Sequence, residues 1–232
     1  MIIWKRNGYS VSKTETLRCA CYLIKSDRAN VLIDTGMKFE RGAIARSIRH
    51  MGIDRIDAIF LTHSHTDHAA NAKIFSDIYH CPVYISPKGL DKVRTGSCTM
   101  PEGTRFHSRL ICSIEQKIHF YNFTRFEACP EARALNNDVV KSYFGEHVKL
   151  LETPGHTDDS LSIVVDHAVA IAGDAMVNVF GNKYPPFADD EENIKPSWNK
   201  LIDEECELFC PAHGKPFYRH DLIEAYKKRL TI

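Results

Sequence analysis

The stretch Ile56-Asp57-Ala58-Ile59-Phe60-Leu61-Thr62-His63-Ser64-His65-Thr66-Asp67-His68 decides how the rest of the chain reads. Its first half is a short apolar run with the length and composition of a buried strand. Its second half sets His63, His65, Asp67 and His68 directly at the end of that run. In extended backbone, residues two apart point the same way. His63 and His65 therefore reach one ion together, while Asp67 projects alongside or serves a neighbouring ion. His68 starts the helix expected over 69–79 and points elsewhere.

Outward from this stretch, other strand-like segments end the same way. Residues 17–25 read as a strand, Ser26-Asp27-Arg28 as a turn, and Ala29 to Ile33 as the hairpin partner that runs into Asp34-Thr35-Gly36. Ile44, Ile48 and Met51 recur at helical spacing over 39–51, with Gly52 at the stop position. A strand follows at 83–86. Val148 to Leu151 enters Thr153-Pro154-Gly155-His156-Thr157, and the pair 161–165 and 168–172, broken at Asp166-His167, ends at Gly173-Asp174. Leu208-Phe209-Cys210 leads to Pro211-Ala212-His213-Gly214. Helices are expected near 133–144, over Trp198 to Glu207 and over 221–230. Residues 95–147 otherwise read as strands and loops, and 181–197 as a long polar loop. Alternating strands and helices place the chain in the α/β class. With no tandem repeat, low-complexity tract or linker, residues 1–232 read as one domain.

Ligand sites in sheet-based α/β folds collect beyond the carboxyl ends of strands, on loops held by the sheet. His63, His65, Asp67, His68, His156, Asp174 and His213 all fall at such ends. These donors are too many for one tetrahedral ion and suit two ions with one carboxylate shared. Imidazole and carboxylate fit zinc first, with iron or manganese also accommodated. The absence of cysteine from the motif argues against a closed structural zinc site. The remaining histidines read as ordinary: His107, His119, His147, His167 and His220 as polar or core residues, His50 and His80 as helix-end residues.

Composition excludes several classes. The chain has 232 residues, 44% apolar and 26% charged, which excludes collagen, coiled coil and a wholly disordered chain. Thirty basic residues balance thirty acidic ones, which argues against a general nucleic-acid binder. No apolar run reaches the length of a membrane span. Eight cysteines, at 19, 21, 81, 98, 112, 129, 206 and 210, form no small disulfide framework. They read as reduced, mostly buried residues of a cytoplasmic protein, with no redox or zinc-ribbon spacing at Cys206 and Cys210.

The motifs Asp34-Thr35-Gly36, His63-Ser64-His65-Thr66-Asp67-His68, Pro154-Gly155-His156-Thr157, Gly173-Asp174 and His213-Gly214, in this order, resemble the metallo-β-lactamase superfamily. The resemblance runs from about residue 17 to 214. It implies a four-layer αββα sandwich, two mixed β-sheets flanked by helices. It also implies two divalent metal ions: His63, His65 and His156 at the first, Asp67, His68 and His213 at the second, Asp174 bridging both. Asp34 would support the histidine loop as a hydrogen-bond acceptor behind the ligands.

The implied activity is that of a metal-dependent hydrolase. A metal-bridging hydroxide would cleave a small ester, thioester, lactone or phosphoester, with Asp174 and Asp67 as catalytic residues and Asp67 also carrying a proton to the leaving group. Two alternatives stay open, a single-iron persulfide dioxygenase and a nuclease-type phosphodiesterase of the same fold. The flavodiiron branch typically has Glu where His65 stands. The lactonase branch places a Tyr soon after the bridging Asp, where this chain has Ala175, Met176, Val177 and Asn178, with Tyr184 further on. Lys215 and Arg219 are candidates for the basic residues of the glutathione-thioesterase branch. Pocket walls are expected from residues 95–126, including the aromatic stretch Phe120 to Phe126, and from 176–198. The partner expected is a small-molecule substrate rather than nucleic acid or membrane, with a homodimer compatible with the sequence.

Overall fold

The computed structural model describes residues 1–14, 16–100, 102–104 and 124–230. Strands β1 (Ile2–Arg6) and β2 (Tyr9–Lys13) form a hairpin where the sequence reading assigns nothing. Its turn, Asn7-Gly8, has φ of 50° and 82°, the primed turn whose twist matches the flanking strands. β3 (Tyr22–Lys25) pairs antiparallel with β2 and with β4 (Asn30–Ile33). The strand expected over 17–25 begins only at Tyr22. The reason is local: the Leu17 and Arg18 N–H groups donate to the Glu40 carboxylate at 2.8 and 2.9 Å. Beyond β4, strands β5 (Ala58–Phe60), β6 (Val83–Ile85) and β7 (Arg133–Ala134) continue in parallel. Among the described residues this sheet has seven strands in the order β1 to β7.

The second sheet contains β8 (Val148–Glu152), β9 (Leu161–Val165), β10 (Val169–Gly173), β11 (Leu208–Pro211) and β12 (Phe217–Tyr218), in the order β12-β11-β10-β9-β8. Its pairs are antiparallel except β10 with β11, so both sheets are mixed.

Period-two alternation assigns the faces. Tyr22, Ile24, Val31, Ile33 and Phe60 of the first sheet meet Ile163, Val165, Val169 and Ile171 of the second in one apolar core. The residues between them turn outward. Leu23, Leu32 and Ile59 pack on Ile44 and Ile48 of helix α1 (Arg41–His50). The chain then forms α2 (Thr66–Ala69), α3 (Ala72–Tyr79), α4 (Leu90–Thr95) and α5 (Asn137–Phe144). Phe75 of α3 joins the α1 layer. On the other side, Val164, Ala170 and Ala172 pack on Trp198 and Leu201 of α6 (Glu191–Asp203) and on Leu222 of α7 (Arg219–Leu230). The result is a four-layer αββα sandwich.

Two further expectations need correction. The helix placed at 69–79 is two pieces, α2 and α3, because Asn71 is used as a clamp. Its buried side-chain amide donates to the carbonyls of Thr35, Gly36 and Met37 at 2.8, 3.2 and 2.9 Å. The polar loop placed over 181–197 ends at Asp190, whose carboxylate caps α6 by accepting from Glu192 N–H at 3.1 Å. Pro196 lies inside that helix. It forfeits a bond only to Glu192, whose carbonyl belongs to the exposed first turn. Helix α4 was not anticipated. Residues 105–123, which hold His107, His119, Cys112 and most of the aromatic stretch, lie outside the described residues.

Candidate metal centre

The predicted residues arrive from both sheets. β5 runs into the 63–68 turn, and Leu161 N–H, at the start of β9, donates to Thr62 O at 2.8 Å. This bond ties the second sheet to the base of that turn. The β10–β11 pair sets Gly173 opposite Pro211, and Ala212 N–H donates to Gly173 O at 3.0 Å. Asp174 and His213 are thereby neighbours. Gly173 has φ of 51°, and a Cβ there would stand 2.7 Å from Thr62 Oγ1. The residue must be small for Asp174 to reach the turn. His156 sits in a tight loop after β8. There Thr157 N–H donates to Ser160 Oγ at 3.2 Å, and Ser197 Oγ donates to Pro154 O at 2.6 Å.

All seven side chains converge. His65 Nδ1 stands 3.1 Å from His63 Nε2 and 3.0 Å from His156 Nε2. His213 Nε2 lies 3.2 Å from both Asp67 Oδ2 and Asp174 Oδ2. His68 Nε2 lies 3.6 Å from Asp174 Oδ1 and 3.9 Å from Asp67 Oδ1. Asp174 Oδ2 is also 3.5 Å from His156 Nε2, so this carboxylate stands between a three-histidine half and a carboxylate-rich half.

Four of the five imidazoles are oriented from behind, whereas His65 Nε2 is buried without a hydrogen-bond partner. His68 Nδ1 donates to Asp34 Oδ2 at 2.9 Å, His156 Nδ1 to Phe187 O at 2.9 Å, and His213 Nδ1 to Arg18 O at 3.0 Å. His63 Nδ1 faces Thr62 Oγ1 at 3.2 Å. With Nδ1 engaged, these four rings turn Nε2 inward, while His65 presents Nδ1. Asp34 also accepts from Thr62 N–H and Oγ1–H, both at 2.8 Å, and holds φ of 61° to do so.

The two halves differ in charge. Burial pushes the His63 imidazole well below its ordinary value and His65 down to about 3, with nearby histidines adding to it. Both are neutral donors with a free lone pair. For His68 and His213, burial acts downward but is overcome. Cys19, Asp34, Asp174 and Asp67 raise His68, and Asp174 and Asp67 raise His213. Burial likewise acts to raise Asp67 and Asp174, and the facing His68 and His213 drive both below the usual carboxylate range.

The donor set fits divalent cations. Two nitrogens at about 2.0–2.1 Å from one tetrahedral zinc stand about 3.3 Å apart, close to the spacings seen. Asp174 Oδ1 is buried with no hydrogen-bond partner, a costly condition that a cation relieves. Three triplets, His63 with His65 and His156, His63 with His68 and Asp174, and Cys19 with Asp67 and His68, hold their donor atoms within 4.8 Å of one another.

Residues treated as ordinary stay apart. His147 faces Asp166, His167 faces Glu204 and His220 faces Asp221. Tyr184 is buried against Trp198, with its hydroxyl donating to Glu191 at 2.9 Å. Seven cysteines are free and buried among the described residues. Sequence reasoning missed the Arg18 carbonyl, the Asn71 clamp and Cys19, whose thiol lies 3.7 Å from His68 Nε2. Asn71 stands three residues after His68, a proximity that could have flagged it. Arg18 and Cys19 reach the centre only through the fold.

Among the described residues, no helix is long and apolar enough to cross a membrane. The sequence model of the metallo-beta-lactamase superfamily matches residues 14–97. Probable metallo-hydrolase YflN of Bacillus subtilis is 27% identical over 223 residues, covering 87% of this chain and 83% of that protein. Probable metallo-hydrolase MJ0888 of Methanocaldococcus jannaschii is 25% identical over 218 residues, covering 92% of this chain and 93% of its own. The crystal structure of a metallo-beta-lactamase family protein from Thermus thermophilus shares the fold with a TM-score of 0.71 at 17% identity, over 97% of this chain and 80% of that one. Motif order, sheet topology and these matches agree: residues 14–97 match the model of the metallo-β-lactamase superfamily, and the chain shares the fold of its solved members.

Proposed function

We propose that the chain is a dinuclear metal-dependent hydrolase of small esters, thioesters, lactones or phosphoesters. The observation that carries this reading is the position of Asp174, 3.2 Å from His213 and 3.5 Å from His156, where one carboxylate serves both halves. His63, His65 and His156 would hold the first cation, and Asp67, His68 and His213 the second. Asp34 fixes the His68 ring. Zinc suits these donors best, with iron or manganese as substitutes. Two such cations supply a water activated near neutral pH and charge to stabilise a developing oxyanion.

The protein's own residues divide the remaining work. His63, His65 and His156 lie deep, so one wall of the centre is closed to bulk water. Side-chain exposures of 30% at Asp67 and 26% at His213 open the other wall, and substrate enters there. Asp67, partly exposed at that opening, takes up the proton given off by the attacking water and hands it to the departing alcohol, thiol or phosphate-ester oxygen. No Ser or Cys nucleophile is needed.

The two relatives, each named a probable metallo-hydrolase, support the hydrolytic reading. The test is a metal-stripped protein assayed before and after zinc, iron or manganese on ester, lactone, thioester and bis-(p-nitrophenyl) phosphate substrates. Metal-restored turnover of at least one class is expected. Turnover of none, or oxygen uptake with iron in place of hydrolysis, would overturn the assignment.

A further inference from the structure

We infer that Cys19 is an additional ligand of the second cation, so that this half of the centre is closed by a thiolate from the segment preceding β3. The inference rests on the dinuclear reading above and adds a donor to it.

The segment around Cys19 is fixed against the centre. Ala20 N–H donates to Ala212 O at 2.8 Å, and the Arg18 carbonyl accepts the His213 imidazole at 3.0 Å. The residues on either side of Cys19 are thus bonded to Ala212 and His213. The Leu17 and Arg18 N–H groups are held by Glu40, and Lys13 Nζ donates to Gly214 O at 2.8 Å. This anchoring leaves Cys19 fully buried, with Sγ 3.7 Å from His68 Nε2 and 3.9 Å from Nδ1. Nδ1 is already engaged by Asp34, so Nε2 is the atom left to share a ligand with the sulfur. Cys19 Sγ, an Asp67 carboxylate oxygen and a His68 nitrogen lie within 4.8 Å of one another.

The spacing fits a shared ion. A zinc–sulfur bond of about 2.3 Å and a zinc–nitrogen bond of about 2.0–2.1 Å, at a tetrahedral angle, put the two donors about 3.6 Å apart. An independent observation points to the same place. Asp174 Oδ1, buried and without a hydrogen-bond partner, stands 3.6 Å from the same His68 Nε2. The alternative is a cysteine that merely packs. Cys21, Cys81 and Cys129 lie in the apolar cluster under α1 and α3, Cys206 in the cluster under α6, and Cys210 in the core between the sheets. Cys19 belongs to none of these and is set among imidazoles and carboxylates.

The chemistry is substitution without redox. The thiol loses its proton to solvent and its sulfur donates a lone pair to the cation, as coordinated thiols do. A soft donor favours zinc or cadmium over manganese at this half.

Wild-type protein, stripped of metal and reloaded with two equivalents of zinc, is examined by X-ray absorption at the zinc edge. One sulfur at about 2.3 Å for every two zincs is expected. Two bound zincs with no sulfur would overturn the inference and leave the dinuclear reading standing. Failure to bind two equivalents would overturn both. With cobalt(II), a near-ultraviolet sulfur-to-cobalt band is expected in wild type and in Cys98→Ser, and its loss in Cys19→Ser. Cys19→Ser is also expected to weaken the second equivalent by at least about tenfold. Persistence of the band in Cys19→Ser would contradict the assignment.

Discussion

His63, His65 and His156 meet at 3.0 and 3.1 Å with no acid among them, whereas His68 and His213 face Asp67 and Asp174 at 3.2 to 3.9 Å. Both halves grow from strand ends of the same sandwich, yet burial is handled differently in each. In the first, desolvation keeps the imidazoles neutral, and their lone pairs are ready for a cation. In the second, carboxylates hold protons on the imidazoles, and those protons occupy the electrostatic place of a cation. Filling the first half therefore displaces no proton, while filling the second must. Asp174 belongs to both, which makes it the residue whose loss separates the two behaviours.

The largest effect is expected from Asp174→Ala. It removes the shared carboxylate and leaves His68 and His213 with one acid fewer. Activity is expected to fall by more than about a hundredfold, because residues one layer behind the ligands are already worth about 10–100-fold. Metal analysis should show the second equivalent gone while circular dichroism keeps the native spectrum. Full retention of two equivalents would remove Asp174 from its position between the halves.

Asp34→Asn tests the second half alone. Asn tolerates the left-handed backbone that Asp34 adopts. Its amide cannot accept from Thr62 and from His68 Nδ1 with both oxygens, and His68 is free to turn an N–H toward the centre. The second equivalent should bind about 10–100-fold more weakly, with the first unchanged by calorimetric titration. Equal weakening of both would show that Asp34 supports the whole turn rather than one ring.

Stability of the metal-free protein against pH gives a gentler test. Below pH 6.5, the unfolded chain takes protons on the imidazoles of residues 63 and 65 that the folded protein refuses, His65 down to about 3. Stability therefore falls as pH drops from 6.5. His68 and His213 are shifted upward, so their contribution is fully present below 6.5 and is lost as pH rises through their folded values. Urea midpoints should peak near pH 6.5. His65→Gln should flatten the acid arm between about pH 4.5 and 6.5, and His213→Gln the basic arm. Identical profiles for both variants would erase the distinction between the halves.

The smallest effect is expected from His220→Ala. This exposed side chain, on α7, sits beside Asp221 at 3.5 Å. Its removal should change stability by less than about 0.5 kcal/mol and leave metal content untouched. A loss of metal would mean that position in the fold does not separate ligands from bystanders.

Much of this was legible in the sequence because one physical signal repeats: an apolar run that ends on a residue with a metal-binding side chain. The runs before His63, His156, Asp174 and His213 are all strands of the sandwich. Other features were hidden for identifiable reasons. β2 alternates Tyr9-Ser10-Val11-Ser12 after Asn7-Gly8, a strong hairpin signal, yet its partner β1 is an edge strand with exposed ends and no clean alternation. In α6, the acidic residues 189–192 resemble a solvated loop, but Asp190, Glu191 and Glu192 cap and complement the helix start. Pro196 conceals this by breaking the usual rule. Cys19 could not have been found by spacing, since Arg18 and Ala20 reach His213 and Ala212 only once β11 has been laid beside β10.

The most direct measurement is the anomalous scattering map of crystals grown with zinc. Two peaks are expected, one among His63, His65 and His156, the other among Asp67, His68 and His213, each within about 2.0–2.2 Å of an Asp174 carboxylate oxygen. A single peak, or two peaks of which one lies out of reach of Asp174, would contradict the account.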